Sequence, residues 1–143
     1  AYCWGDNTFG AIGDNTELER LTPTAVNTTS GLTTTNVASI SAGFATTCSR
    51  TTTNRAYCWG NNGSGEVGDN TTTRRLIPTA VNTTSGLTTT NVAAISSGRN
   101  FTCALTIAGR ILCWGYGGAH IGNGSYFNNA LLIPEELDVE YLP

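Results

Sequence analysis

Apolar residues fall in short runs along the chain, and the stretches between them are dominated by Thr, Asn and Gly. The connectors 27–36 and 82–91 have no apolar positions at helical spacing, so the pattern predicts strands joined by loops. Proline stands inside the runs 21–26 and 76–81, and because proline cannot donate to a central ladder, both runs are predicted to be edge strands. The predicted strands are 1–5, 21–26, 37–41, 45–49, 56–60, 76–81, 92–96, 101–106, 112–115 and 131–134.

A Cys-Trp-Gly triplet recurs at a fixed interval along the chain. It begins at Cys3, Cys58 and Cys113, a spacing of 55 residues both times (58 − 3 and 113 − 58), and a fixed period indicates a repeat architecture. Residues 23–38 recur letter for letter at 78–93, which indicates a recent duplication and directs attention to positions where the copies differ. About four short antiparallel strands per unit predict an all-β fold of consecutive four-stranded β-propeller blades.

The repeat period also divides the chain into parts. We predict the outer half of a first blade with its connector at 1–36, a complete blade at 37–91, a complete but divergent blade at 92–134, and an acidic cap or tail at 135–143. At 143/55 the propeller is incomplete, with about 2.6 blades, so we expect either a fragment of a longer chain or copies that associate. Open sheets would leave unpaired edges and apolar faces for another chain to pack against.

The cysteines predict cross-strand disulfides. Cys48 and Cys58 are 10 residues apart, as are Cys103 and Cys113, and the pairs are centred on predicted turns at 53 and 108. Directly opposed residues of a hairpin lie near disulfide reach, so we expect one bond in each complete blade and an unpaired Cys3. Such pairs are typical of an oxidising compartment and predict a secreted or cell-surface protein. The alternatives are buried free thiols and a zinc site.

Tryptophans and glycosylation sequons are further candidate sites. Trp4, Trp59 and Trp114 each lie between a cysteine and a glycine, so we expect them to pack between blades; stacking of a sugar on an exposed ring is the alternative. Asn-x-Ser/Thr sequons predict glycan on surface loops of a secreted protein, although such tripeptides also arise by chance in an Asn/Thr-rich chain. The sequons begin at Asn27, Asn62, Asn70, Asn82, Asn100 and Asn123.

Composition narrows the classes of function. With 7 basic and 10 acidic residues the net charge is −3, and the absence of a basic stripe argues against nucleic acid as a partner. No apolar run is long enough to span a membrane. His120 is the only histidine, and no Gly-rich turn leads into a helix, so we predict no enzyme activity, no cofactor and no metal site. The Asp/Asn clusters are interpreted as turn formers because the spaced carboxylates of a calcium loop are missing.

The order of several short motifs resembles a known repeat family. Val-Ala-x-Ile-Ser-x-Gly, Thr-Cys, Cys-Trp-Gly-x-Asn-x-x-Gly-x-x-Gly-Asp-Asn-Thr and Pro-x-x-Val are similar to the repeats of the regulator of chromosome condensation propellers, particularly their bacterial secreted relatives. The resemblance extends to about Ile133 and implies the propeller fold. That family includes a nucleotide-exchange factor and a β-lactamase inhibitor, so the scaffold alone does not define a function. Many family repeats have His where this chain has Thr46 and Phe101.

The third repeat departs most from the others in the loop after its Cys-Trp-Gly triplet, where Tyr116-Gly-Gly-Ala-His120 replaces the shared loop sequence. We predict a non-catalytic extracellular or cell-surface module that binds another protein through its loops, with Tyr116, His120 and Tyr126 as candidate contacts. The alternatives are a structural subunit of a filament or surface layer built by blade-to-blade packing of copies, and a lectin-like glycan binder that uses the loop aromatics.

Overall fold

The computed structural model describes residues 1–117 and 129–137, where the chain forms ten strands and no helix. Every strand coincides with a predicted apolar run, and the all-β prediction is confirmed. This part of the chain accordingly has no helix that could cross a membrane. The strands are β1 Tyr2–Gly5, β2 Arg20–Ala25, β3 Val37–Ala42, β4 Thr46–Thr51, β5 Ala56–Gly60, β6 Arg75–Ala80, β7 Val92–Ser97, β8 Phe101–Thr106, β9 Ile111–Tyr116 and β10 Ala130–Glu136.

The strands form three antiparallel sheets, each in chain order. One sheet has the order β3-β4-β5-β6 and another β7-β8-β9-β10, whereas β1 and β2 form a two-stranded sheet. The last strand of each sheet lies at an edge and contains a proline, at Pro23, Pro78 or Pro134, because no further strand there needs its N–H. Four consecutive antiparallel strands are the blade of a β-propeller.

The two-stranded sheet reproduces the outer half of the four-stranded ones. Gly60 ends β5 with φ +106°, and a Cβ there would lie 2.3 Å from the Ala45 carbonyl oxygen, so only glycine fits. Gly5 ends β1 with nearly the same φ, +107°, yet nothing lies within 4 Å of it, because no inner strand among the described residues pairs with β1. The matching cross-strand pairs are Cys3 with Thr24 and Cys58 with Thr79.

Buried side chains collect between consecutive sheets. Trp59 packs with Val26 of the unit before it, and Trp114 packs in the same way with Val81. Both indole rings are fully buried. Because a buried aromatic side chain covers roughly 150–250 Å², these two rings supply much of the contact between blades.

Each buried tryptophan also binds the loop of the preceding unit. The indole N–H of Trp59 donates to the Ala11 carbonyl at 2.9 Å, and that of Trp114 donates to the Glu66 carbonyl at 2.8 Å. Trp4 has the matching place in β1 but is 63% exposed, because no sheet among the described residues covers it. The repeat therefore sets how consecutive blades stack, and the face around Trp4 is open.

Candidate functional site

Turns and loops of neighbouring blades meet at one end of the sheets. The β3–β4 turn at 43–45 and the β5–β6 loop lie there together, because antiparallel strands alternate in direction. The N–H of Asn61 donates to the Ala45 carbonyl at 2.8 Å. In the next blade the N–H of Tyr116 donates to the Asn100 carbonyl at 2.7 Å. Each blade therefore fixes its inner turn to the start of its outer loop.

Asn62 holds the β5–β6 loop in shape from the inside. It is fully buried, and its side-chain oxygen accepts from the Val67 N–H at 2.8 Å. Its amide nitrogen donates to the carbonyls of Thr71 and Thr73, each at 3.0 Å. The same nitrogen also donates to the Asp69 carboxylate at 3.2 Å. The loop is therefore a supported element that can position its neighbours.

An ion pair closes the base of the β1–β2 loop and of the β5–β6 loop. Arg75 Nε donates to Asp69 Oδ2 at 2.6 Å, and Arg20 Nε donates to Asp14 Oδ2 at 2.7 Å. Burial alone would raise the pKa of the Asp69 carboxyl, but hydrogen bonds from Thr71 and Arg75 outweigh burial and hold that pKa below its usual value. The same balance lowers the pKa of Asp14. Both carboxylates are thus charged structural partners at neutral pH.

A cleft opens in the third blade beside these turns. It has a volume of about 210 Å³ and is lined by Arg99, Asn100, Phe101 and Tyr116. The Phe101 ring lies against the turn because Gly98 has no side chain; a Cβ there would come within 2.8 Å of a ring carbon. The volume is several times the roughly 30 Å³ that one water occupies in the liquid, so a side chain of another molecule can enter.

The second blade adds an exposed aromatic ring to the rim of this cleft. Phe44 is 72% exposed, and its N–H donates to the Gly98 carbonyl at 3.3 Å. The guanidinium carbon of Arg99 lies 5.3 Å from the centroid of the Phe44 ring, a cation–π contact. Arg99 forms no ion pair with any described carboxylate, unlike four other arginines. We call Phe44, Arg99, Asn100, Phe101 and Tyr116 the rim surface.

The rim surface lies where the repeat copies differ. The identical blocks 23–38 and 78–93 contain outer strands and connectors, whereas the turns before β4 and β8 diverge. Sequence reasoning selected Tyr116 but missed Phe44 and Arg99, which could have been found as large side chains directly after the glycine of each turn. At the repeat spacing, Phe44, Ala45, Thr46 and Asn61 correspond to Arg99, Asn100, Phe101 and Tyr116.

The other predicted loop contacts, His120 and Tyr126, lie outside the described residues. Tyr116 itself ends β9 and is half-buried in the cleft wall. In residues 1–117 and 129–137 no group of three or more His, Cys, Asp and Glu side chains is arranged to hold a metal ion. What the site offers is therefore aromatic surface and a guanidinium, the chemistry of contact between proteins.

The sequon asparagines differ in accessibility. The prediction of glycan at Asn62 is wrong, because that side chain is fully buried and its amide nitrogen is used in hydrogen bonds. Asn82 begins an Asx turn instead, with its side-chain oxygen accepting from the Thr84 N–H at 2.8 Å. Four sequon asparagines reach the surface, namely Asn27, Asn70, Asn82 and Asn100, and Asn123 lies outside the described residues.

Disulfides join the two central strands of both complete blades. Cys48 bonds Cys58 between β4 and β5, and Cys103 bonds Cys113 between β8 and β9. In both cases the residues are directly paired in the ladder. Cys3 is half-buried with no partner among the described residues, and burial raises the pKa of its thiol.

These sheets define a protein of the β-propeller class, and sequence comparison gives the family. A family profile described as "Regulator of chromosome condensation (RCC1) repeat" matches residues 1–49 and 53–105, and a second profile of the same description matches 37–66 and 92–120. The chain belongs to the RCC1 repeat family, which confirms the resemblance found in the sequence. Its particular likeness to bacterial secreted members stays a prediction.

Curated relatives are much longer than this chain. The E3 ubiquitin-protein ligase HERC2 of Homo sapiens is 28% identical over 125 residues, which are 87% of this chain and 2% of the relative. The ultraviolet-B receptor UVR8 of Arabidopsis thaliana is 27% identical over 137 residues, which are 95% of this chain and 29% of the receptor. The chain thus spans less than a third of the length of either relative.

Solved structures of the same fold cover nearly the whole chain. Prp20p from Saccharomyces cerevisiae matches 96% of this chain and 34% of its own length, with a TM-score of 0.79 and 20% identity. Human WBSCR16 matches 94% of this chain and 32% of its own length, with a TM-score of 0.77 and 21% identity. At such identities the likeness establishes the fold alone.

Proposed function

We propose that the chain is a non-catalytic propeller module that binds another protein through its rim surface. The observation that carries this proposal is the rim surface itself, where three exposed or half-buried aromatic rings and a guanidinium without a carboxylate partner among the described residues surround a cleft. Aromatic and Arg side chains dominate the energetics of protein interfaces. Prp20p shares the fold and has binding properties toward Gsp1p and histones, and this precedent supports a binding role.

An extracellular or cell-surface location forms part of the proposal. The disulfides Cys48–Cys58 and Cys103–Cys113 support it, because such bonds persist in oxidising compartments and are rare in the cytosol. The relative HERC2 is named as a ligase, but this chain corresponds to only 2% of it. The described residues contribute a surface for recognition, and we assign them no catalytic step.

A binding measurement with matched variants tests this function. A partner captured on the immobilised protein is purified, and its dissociation constant is measured for the wild type and for Phe44→Ala/Tyr116→Ala. Loss of two aromatic anchors is expected to weaken binding by at least about tenfold. Ile107→Ala removes a 63% exposed apolar side chain from the β8–β9 turn at the other end of the blade and should bind normally. Equal binding by the double variant, or no specific partner, would refute the proposal.

A second function, assembly by blade-to-blade packing, has its own observation. Tyr2 and Trp4 are 66% and 63% exposed on the first sheet, and the outward face of the third sheet exposes Leu105 and Ile111 beside Cys103. Inside the chain, a tryptophan packs against the disulfide of the previous blade. Sedimentation should then show self-association that Trp4→Ala abolishes; a concentration-independent monomer would exclude this alternative.

A further inference from the structure

We infer that the cleft of the rim surface receives an acidic segment of the partner, with a carboxylate bound by Arg99. This inference rests on the proposed function, since it names the chemistry of the partner at the same surface. Four of the seven basic residues pair with described carboxylates, namely Arg20, Arg74, Arg75 and Arg110. Arg99 pairs with none of them and lies at the cleft that Phe101 and Tyr116 line.

The Phe44 ring prepares Arg99 for such a ligand. Its centroid lies 5.3 Å from the guanidinium carbon, within the range of a cation–π contact. The edge N–H donors stay available, and a planar guanidinium can offer two of them to one carboxylate. Because the contact with Phe44 restricts the Arg99 side chain before the ligand arrives, less conformational entropy is lost on binding.

The surroundings of Arg99 favour a peptide carboxylate over a polyanion. A nucleic acid, or a polysulfated glycan recognised through the same electrostatics, needs several basic groups in a row, and the net charge of the chain is −3. Here one guanidinium is flanked by aromatic side chains, which suits one carboxylate with an apolar neighbour.

A random dodecapeptide library displayed on phage tests the inference, with the immobilised protein as bait. Enriched sequences should carry Asp or Glu next to an apolar residue. A synthetic copy of an enriched peptide should bind Arg99→Gln at least about tenfold more weakly than the wild type, and Arg99→Lys to an intermediate degree. Arg55→Gln is the matched control, since Arg55 lies 5.3 Å from the Tyr57 ring at the opposite end of the blade. This variant should bind the enriched peptide with the affinity of the wild type.

Enrichment of peptides without acidic residues, failure to enrich any peptide, or equal loss in both glutamine variants would overturn the inference. If no acidic peptide is enriched, and heparin fragments bind the wild type more tightly than Arg99→Gln, the ligand of Arg99 would be an anionic glycan and the inference would be wrong. The variants distinguish failure of this inference from failure of the proposed function. Suppose that a partner binds Phe44→Ala/Tyr116→Ala more weakly than the wild type but binds Arg99→Gln with unchanged affinity. The rim surface would then remain the binding site, and only the acidic segment would be refuted.

Discussion

At the scale of single residues, glycine sets how closely a tryptophan approaches the loop before it. Gly68 has φ +75°, and a Cβ there would lie 2.5 Å from the Trp114 indole nitrogen. We expect Gly68→Ala to lower the free energy of unfolding by about 2–5 kcal/mol, through overpacking and left-handed backbone strain. Gly109→Ala, with φ +83° and nothing within 4 Å, should cost about 1–2 kcal/mol from strain alone. The free energies of unfolding are measured with urea, and equal losses for Gly68→Ala and Gly109→Ala would contradict a close contact between Gly68 and Trp114.

Asn62 gives a second prediction at this scale. Asn62→Ala leaves the buried Val67 N–H and the Thr71 and Thr73 carbonyls without their partner, so it should lower the free energy of unfolding by about 2–4 kcal/mol. Asn82→Ala removes an exposed Asx turn and should change stability by no more than about 0.5 kcal/mol. Thermal unfolding followed by circular dichroism distinguishes the two variants, and similar melting curves would argue against a supporting role for Asn62.

The same pair marks a limit of sequence reasoning about residues. Asn62 and Asn82 both begin a sequon, yet one amide supports a loop from inside and the other faces solvent. The tripeptide does not encode that difference; it depends on which backbone groups the loop leaves unpaired. Positive φ at glycine was predictable, because the repeat kept glycine at matching places, and Gly60 and Gly68 both have it.

At the scale of elements, strand order and cross-strand pairing were largely predictable. Short apolar runs, proline at the edges and a hairpin centred between two cysteines are local signals, and they predicted the ten strands and both disulfides. The contact of Phe44 with Arg99 joins two blades and has no local signal. The divergence of the turns between copies, and a large side chain after the glycine of each turn, mark the two residues but not the contact between them.

The hairpin disulfide leads to a prediction for this scale. Cys48→Ser/Cys58→Ser releases a crosslink between residues 10 apart, and the loop-entropy relation gives a loss of about 2–3 kcal/mol in the free energy of unfolding. Cys3→Ser is the control and should leave the urea midpoint unchanged, because Cys3 forms no disulfide. A midpoint of the double variant equal to that of the wild type would mean that the bond does not stabilise the hairpin.

At the scale of the whole molecule, stability should fall in acid. The folded-state pKa values of Asp14 and Asp69 lie below their usual value, so the unfolded chain takes up protons first. Their contribution is complete above the ordinary Asp pKa of about 3.9 and is lost as the pH falls through the folded-state values. Urea unfolding between neutral pH and pH 2 should show this loss, and Asp14→Asn/Asp69→Asn should flatten it. If the double variant loses as much stability in acid as the wild type, groups other than Asp14 and Asp69 cause the loss.

The central claim is that a partner binds at the rim surface, at one end of the stacked blades. Hydrogen–deuterium exchange on the protein alone and with a captured partner tests this claim most directly, because it locates the contact without a substitution. We expect slower exchange at 43–46, 98–102 and around Tyr116, with the turns 51–55 and 106–110 unchanged. Protection confined to those opposite turns, or to the β1–β2 sheet, would contradict the account.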